Sequence, residues 1–223
     1  MKKSETQNGM TLELPGGARS LLLHSCCAPC AGGVLETLVG AGVAVTLYFH
    51  NPNIHPRDEY HRRKQEQKAF AAKLGVAFVE ADYDPSGWFD TVAGLEQEPE
   101  RGERCSACFR LRLDATAEFA AFHGFEVFAT TLGISRWKNL EQVNRAGLAA
   151  AQAYPGVIFW PFNWRKGGGS QRMVEVSQRE EFYHQQYCGC VFGLRDTNRW
   201  HEQKGQDLIQ RDMTEFETFL KNR

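Results

Sequence analysis

Arg19-Ser20-Leu21-Leu22-Leu23-His24-Ser25-Cys26-Cys27-Ala28-Pro29-Cys30 is the stretch that decides the fold. Its apolar run from Arg19 to Ser25 stops abruptly at the first cysteines, as a strand buried on both faces of a parallel sheet does. A helix is expected to follow from about Cys30 to Ala41. Val43 to His50 is rich in β-branched and aromatic residues and reads as a second strand, broken by Asn51-Pro52-Asn53. Asp58 to Leu74 sets charges on one face and Phe70, Ala71 and Leu74 on the other, so it reads as a helix, with Arg62-Arg63-Lys64 a charged outer face. Val76 to Ala81 is a third strand. After a helical middle section, Glu126 to Thr131 and Val157 to Phe162 read as two more.

Alternating strands and helices predict an α/β fold with one doubly wound, mostly parallel sheet. Ligands of such sheets bind beyond the carboxyl ends of the strands, which places Cys26, Asn51 and Thr130 to Ser135 at the site. A length of 223 residues with 42% hydrophobic and 24% charged content suits one compact domain. The organisation expected is a flexible amino-terminal extension over 1–18, a catalytic α/β domain over 19–194, and a helical carboxyl-terminal extension over 195–223 packed on it. Lys166-Gly167-Gly168-Gly169-Ser170 reads as a mobile loop inside the domain.

No run of about 18 apolar residues is present and the first twenty lack a signal-like apolar core, so a cytoplasmic chain with no membrane partner is expected. A net charge of −1 gives no global pull on nucleic acid, and any RNA must be held by local patches. In the cytosol, grouped cysteines are metal ligands or catalytic thiols more often than structural disulfides.

The seven cysteines fall in three clusters. Cys26, Cys27 and Cys30 occupy a strand-to-helix turn, where helix amides are expected to lower thiol pKa values. Cys27-Ala28-Pro29-Cys30 is also a C-x-x-C pair, open to thioredoxin-like chemistry. Cys105-Ser106-Ala107-Cys108 opens a helical run with the spacing of a zinc or iron-sulfur half-site. In Tyr187-Cys188-Gly189-Cys190, two cysteines of an extended chain lie near the upper limit for bridging, and Gly189 allows the bend that would close a readily reduced bond. The alternative is a further pair of metal ligands. One zinc would leave three cysteines over, whereas a 4Fe-4S cluster plus a redox pair uses six.

Taken with these clusters, Tyr48-Phe49-His50-Asn51-Pro52-Asn53-Ile54, Cys108-Phe109-Arg110-Leu111-Arg112-Leu113 and Thr130-Thr131-Leu132-Gly133-Ile134-Ser135 give a chain that resembles the epoxyqueuosine reductases of the QueH type, from about residue 20 to 194. The resemblance implies a sheet related to PP-loop (HUP-like) enzymes with a metal cluster at the carboxyl ends of its strands. No phosphate-cradling glycine loop is present, and ATP is not expected. It implies reduction of epoxyqueuosine to queuosine at the wobble position of tRNA, the last step of queuosine biosynthesis. It also implies a 4Fe-4S cluster on Cys26, Cys27, Cys105 and Cys108, and a redox-active disulfide of Cys188 with Cys190.

Cys30 is left without a role, and adjacent Cys26 and Cys27 are awkward partners for one cubane. An additional mononuclear iron and an unidentified electron donor complete the expected set. His24, His184 and Tyr187 stand as candidate proton donors. Lys138 in Arg136-Trp137-Lys138, and Trp164, Arg165 and Lys166 in the stretch from Phe162, are candidate tRNA contacts, cations for phosphates and rings for bases. Against this stand a thiol oxidoreductase working through Cys27 and Cys30, and a zinc-stabilised RNA-binding module.

Overall fold

A computed structural model describes residues 12–217 and Phe219. Five strands, β1 (Ser20–His24), β2 (Ala44–Phe49), β3 (Ala77–Glu80), β4 (Val127–Thr130) and β5 (Ile158–Phe159), form one sheet in the order β3-β2-β1-β4-β5. Every pairing is parallel. β1 is the central strand, and Leu21, Leu22 and Leu23 are wholly buried because helices cover both its faces. Helical crossovers carry the chain from β1 out to β3, then back to β4 and outward to β5. The direction of winding reverses between β1 and β4, so the crevice where ligands bind such sheets opens at the ends of those two strands.

α1 (Ala28–Gly40) packs against α2 (Arg57–Lys73) and α6 (Gly169–Arg179), while α4 (Glu103–Phe122) packs against α5 (Leu140–Ala153). α1 starts two residues earlier than the sequence pattern suggests. Pro29, whose missing N–H costs nothing in the first turn, starts it, and Cys27 precedes it in an extended conformation. β5 keeps two of the six residues expected, because Pro161 has no N–H to extend the ladder past Trp160.

The Lys166–Ser170 stretch forms a turn and the opening of α6. Gly169 packs so closely that a Cβ there would stand 1.9 Å from the Trp164 carbonyl oxygen. Position 195 falls inside α7 (Val191–Gln203), which continues directly from Cys190. Beyond α7, Ile209 and Phe216 are buried, and Phe216 joins Trp88 and Phe89 of α3 (Pro85–Thr91), Cys108 and Phe192 in a second apolar cluster. Of the expected amino-terminal extension, residues 1–11 lie outside the described residues, and Leu12 and Leu14 are part of the core. No helix among the described residues is long and apolar enough to cross a membrane.

Candidate redox and metal centre

Ser25, the first residue beyond β1, is buried and locked from three directions. Its hydroxyl accepts from Gln67 Nε2 at 2.8 Å and from Thr131 Oγ1 at 3.0 Å, and its carbonyl accepts from Asn51 Nδ2 at 2.8 Å. Asn51 in turn accepts from Arg112 Nη2 at 2.5 Å. The turn carrying Cys26 and Cys27 is thus fixed to α2, to the end of β2 and to the loop after β4. His24 is buried inside the sheet, bonded to Thr130 Oγ1 at 2.8 Å, and its pKa is held well below the usual value by burial, by Arg112 and by His50. Burial therefore disfavours the imidazolium form that would make it a strong acid.

All seven cysteines are free thiols, Cys188 and Cys190 included. Cys26 Sγ donates to Cys27 Sγ at 3.9 Å, Gln185 Nε2 donates to Cys27 Sγ at 3.0 Å, and the Arg101 N–H donates to Cys105 Sγ at 3.3 Å. The expectation of lowered pKa values at the helix start is overturned. The bond to Cys27, followed by burial, drives Cys26 well above its usual value. Cys27 is lowered by accepting that bond, but the Cys30 contact and burial outweigh it and push the thiol up to about 12. Burial and the neighbouring Cys188 push Cys105 up to about 12, and burial raises Cys108 and Cys190 as well. Desolvation disfavours the thiolate more strongly here than helix amides favour it.

Two cations stand among these thiols. Arg112 is buried beside Cys108, Cys26 and Cys188, and Lys138 is partly buried facing Cys188, Cys26, Cys30 and Cys27. Neither forms an ion pair with a carboxylate among the described residues, and Arg112 Nε has no hydrogen-bond partner. A buried cation is ordinarily neutralised by a carboxylate, so Arg112 suits neighbours that become negative.

No three His, Cys, Asp or Glu side chains among the described residues group closely enough for one metal ion. Ligands of a cubane each bind a different iron and stand further apart, so the same spacing leaves a four-iron cluster open. Cys27, wholly buried, and Cys30, nearly so, are out of reach of the protein disulfides that a thioredoxin-like enzyme reduces.

The Tyr187–Cys190 loop lies against α2. Arg63, expected on the solvated face, is 1% exposed and donates to the carbonyl of Cys188 at 2.9 Å and to that of Tyr187 at 3.2 Å. Glu59, 3% exposed, pairs with it at 2.7 Å. The Tyr187 hydroxyl is committed to the His55 carbonyl, and burial pushes its pKa upward, which makes it a weaker acid. His184 is exposed.

The family model for "Epoxyqueuosine reductase QueH" matches residues 21–196. That span holds every cysteine cluster and both cations. The chain belongs to the QueH family. It is 56% identical over 199 residues to the epoxyqueuosine reductase QueH of Haemophilus influenzae, covering 89% of this chain and 81% of that one. It is 53% identical to that of Histophilus somni, over 94% of this chain and 88% of that one. With that of Thermotoga maritima it shares 34% over 82% of this chain and 94% of that one.

In this QueH family chain the four expected RNA contacts fare unequally. Trp164 is 5% exposed, packs against Trp160 and Phe162, and donates its indole N–H to the Thr130 carbonyl at 3.1 Å, so it has no face to offer a base. Arg165 is spent on the carbonyls of Ser135 and Lys138, where it braces the loop after β4. Lys138 is partly buried and lies within electrostatic range of the thiols. Lys166 is exposed. Of the two tryptophans flanked by these basic residues, the one that faces solvent is Trp137, 61% exposed, with the Arg136 guanidinium 4.8 Å from its ring centre. Tryptophans at 137 and 164 look alike in sequence, each next to basic residues. Only the position of Trp164 under α6 tells them apart.

Proposed function

We propose that this chain reduces epoxyqueuosine to queuosine in tRNA. The observation that carries the reading is the pair of cations with no carboxylate partner among the described residues, Arg112 buried and Lys138 partly buried, set among cysteines at the switch point of the sheet in a QueH family chain. Removing an epoxide oxygen to leave an alkene takes up two electrons and two protons and releases water. A dithiol supplies that set: Cys188 and Cys190 give two electrons and two protons and close to a disulfide, which an external donor reopens. To meet these largely buried thiols, the wobble base would be drawn out of the anticodon loop.

Cys26, Cys27, Cys105 and Cys108 would hold a 4Fe-4S cluster. A thiolate-bound cluster is anionic, and Arg112 and Lys138, with no carboxylate to satisfy them, suit it. Bound there, it would supply electron transfer and a Lewis-acidic iron for the epoxide oxygen. Arg112 holds the Cys26 turn through Asn51 and lends its charge to Cys26 and Cys108. Lys138 would be the cation available to negative charge developing on the departing oxygen, and thiolates formed nearby would favour its charged form. Trp137 would stack an unpaired base at the mouth of the centre, with Arg136 and Lys166 meeting phosphates.

The test is anaerobic incubation of iron-loaded protein with tRNA carrying epoxyqueuosine and a chemical reductant, followed by nucleoside analysis. Queuosine should accumulate. Its absence with fully loaded, folded protein would refute the assignment. Full turnover by Cys188→Ser under a chemical reductant would remove the disulfide from it.

A further inference from the structure

The loop carrying Cys188 and Cys190 is held by its backbone. Three successive carbonyls each accept a hydrogen bond from outside the loop: Tyr187 and Cys188 from Arg63 at 3.2 and 2.9 Å, and Gly189 from the His55 N–H at 2.9 Å. On the far side the Val191 N–H donates to His55 Nδ1 at 3.3 Å. Gly189 sits at φ 142°, where a Cβ would stand 3.2 Å from Ile54 Cγ1 and 3.4 Å from Arg63 Nη1. The backbone is therefore pressed onto the guanidinium, while Cys188 and Cys190 are each only partly buried as residues.

An ion pair as buried as Glu59 and Arg63 is a poor device for stability, since apolar residues of the same volume commonly do as well. What such a pair does well is fix the position of whatever it bonds to. Glu59 is itself restrained by the Tyr183 hydroxyl at 3.0 Å and by Arg211 at 3.7 Å.

We infer that Arg63, held by Glu59, is a positioning residue that fixes the Cys188-Gly189-Cys190 loop in its dithiol geometry and so keeps the disulfide easy to reopen. The inference rests on the reading of Cys188 and Cys190 as the electron-delivering pair. Cysteines two apart must bend the chain at Gly189 to bond, and that bend turns the carbonyls of Cys188 and Gly189 that Arg63 and His55 hold. Bonds present in the dithiol and weakened in the disulfide favour the dithiol. A couple whose reduced form is stabilised is the more readily re-reduced, which suits an enzyme that must regenerate its dithiol each turnover.

The experiment is an anaerobic thiol-disulfide equilibration of the iron-loaded protein in dithiothreitol buffers of graded oxidised-to-reduced ratio. Each disulfide formed converts one oxidised dithiothreitol to its dithiol. After alkylation and trypsin, the Glu180–Arg195 peptide holds Cys188 and Cys190 and no other cysteine, so its mass gives the bonded fraction. Arg63→Met should reach half-oxidation at a ratio about tenfold lower than the parent, the effect of one charge-assisted hydrogen bond. Arg63→Lys, which keeps the buried charge but cannot span both carbonyls, should shift by several-fold and serves if Arg63→Met fails to fold. A merely structural role would lower the melting temperature and leave the half-oxidation ratio in place. Ratios within twofold of the parent in the folded variants overturn the inference alone. A parent that forms no bond within this peptide at any ratio overturns both the inference and the redox-pair reading.

Discussion

Trp164→Ala tests the division of labour between the two tryptophans. The indole is buried against Trp160 and Phe162 and bonded to the Thr130 carbonyl at the end of β4. Truncating a buried aromatic to alanine costs about 3–5 kcal/mol, the higher end applying where the space cannot collapse. Here the Trp164 carbonyl lies against Gly169, which holds the backbone in place, and the Thr130 carbonyl loses its donor, so the upper half of the range is expected. For a chain of this size each kcal/mol moves the melting temperature by roughly 2–4 °C, giving a fall of about 8–20 °C. Below the transition, tRNA affinity should be close to that of the parent.

Trp137→Ala is the counterpart. Its ring is exposed, so the melting temperature should move by no more than about 2 °C, while loss of one base stack, about 1–3 kcal/mol, weakens tRNA binding roughly 5- to 150-fold. Thermal melts by differential scanning fluorimetry and tRNA titrations on the same preparations read both quantities. A Trp164→Ala protein that melts with the parent yet binds tRNA weakly would refute this account, and so would Trp137→Ala with undiminished affinity.

Other outcomes follow from the charges and the thiols. His24, His55 and His50 are held neutral, His50 near pKa 4 and His55 near 3, chiefly by burial. Below pH 6.5 the unfolded chain takes up protons that the folded one refuses, so stability should fall as pH drops from 6.5 toward 4, by up to about 4 kcal/mol per pH unit for three such groups. Urea melts at pH 7, 6 and 5 measure it, and a flat profile would contradict the buried placement. Arg136→Ala and Lys166→Ala should each weaken tRNA binding and reduce the log-log salt slope by about 0.7, read by titration at several salt concentrations. Cys108→Ser should lower bound iron and sulfide per chain, whereas Cys190→Ser should keep both and lose turnover; iron loss in Cys190→Ser would make it a ligand.

The sheet was legible because each strand announces itself locally. Leu21 to Leu23 can only be a strand with both faces covered, and the Asn51-Pro52-Asn53 and Ser25-Cys26 breaks mark its carboxyl edge. Arg63 was not legible, since polarity alone assigns three consecutive basic residues to solvent. The buried stripe of α2 runs through Glu59, Tyr60, Arg63, Gln67, Phe70 and Ala71, so charged and apolar residues share one helical face. The readable signal is the spacing: Glu59 and Arg63 are four apart, and Gln67 continues their line into Phe70. An oppositely charged pair in register with the apolar stripe belongs inside, bonded to something.

The thiol chemistry was misjudged for a different reason. A helix start lowers a thiol pKa only where its pull exceeds the cost of desolvating the thiolate, and the sequence does not say how deeply Cys26 and Cys27 are buried. With burial dominant, thiolates at this centre depend on fixed cations or on metal, and the cations can be read from spacing. Arg112 follows Cys108 by four residues on α4 and so falls beside it, and Lys138 follows the end of β4 at the switch point. A centre that holds its thiols protonated until a positive partner arrives binds metal with proton release. Its loading should therefore strengthen with pH, while Arg112 and Lys138 supply the part of the positive charge that the chain itself provides.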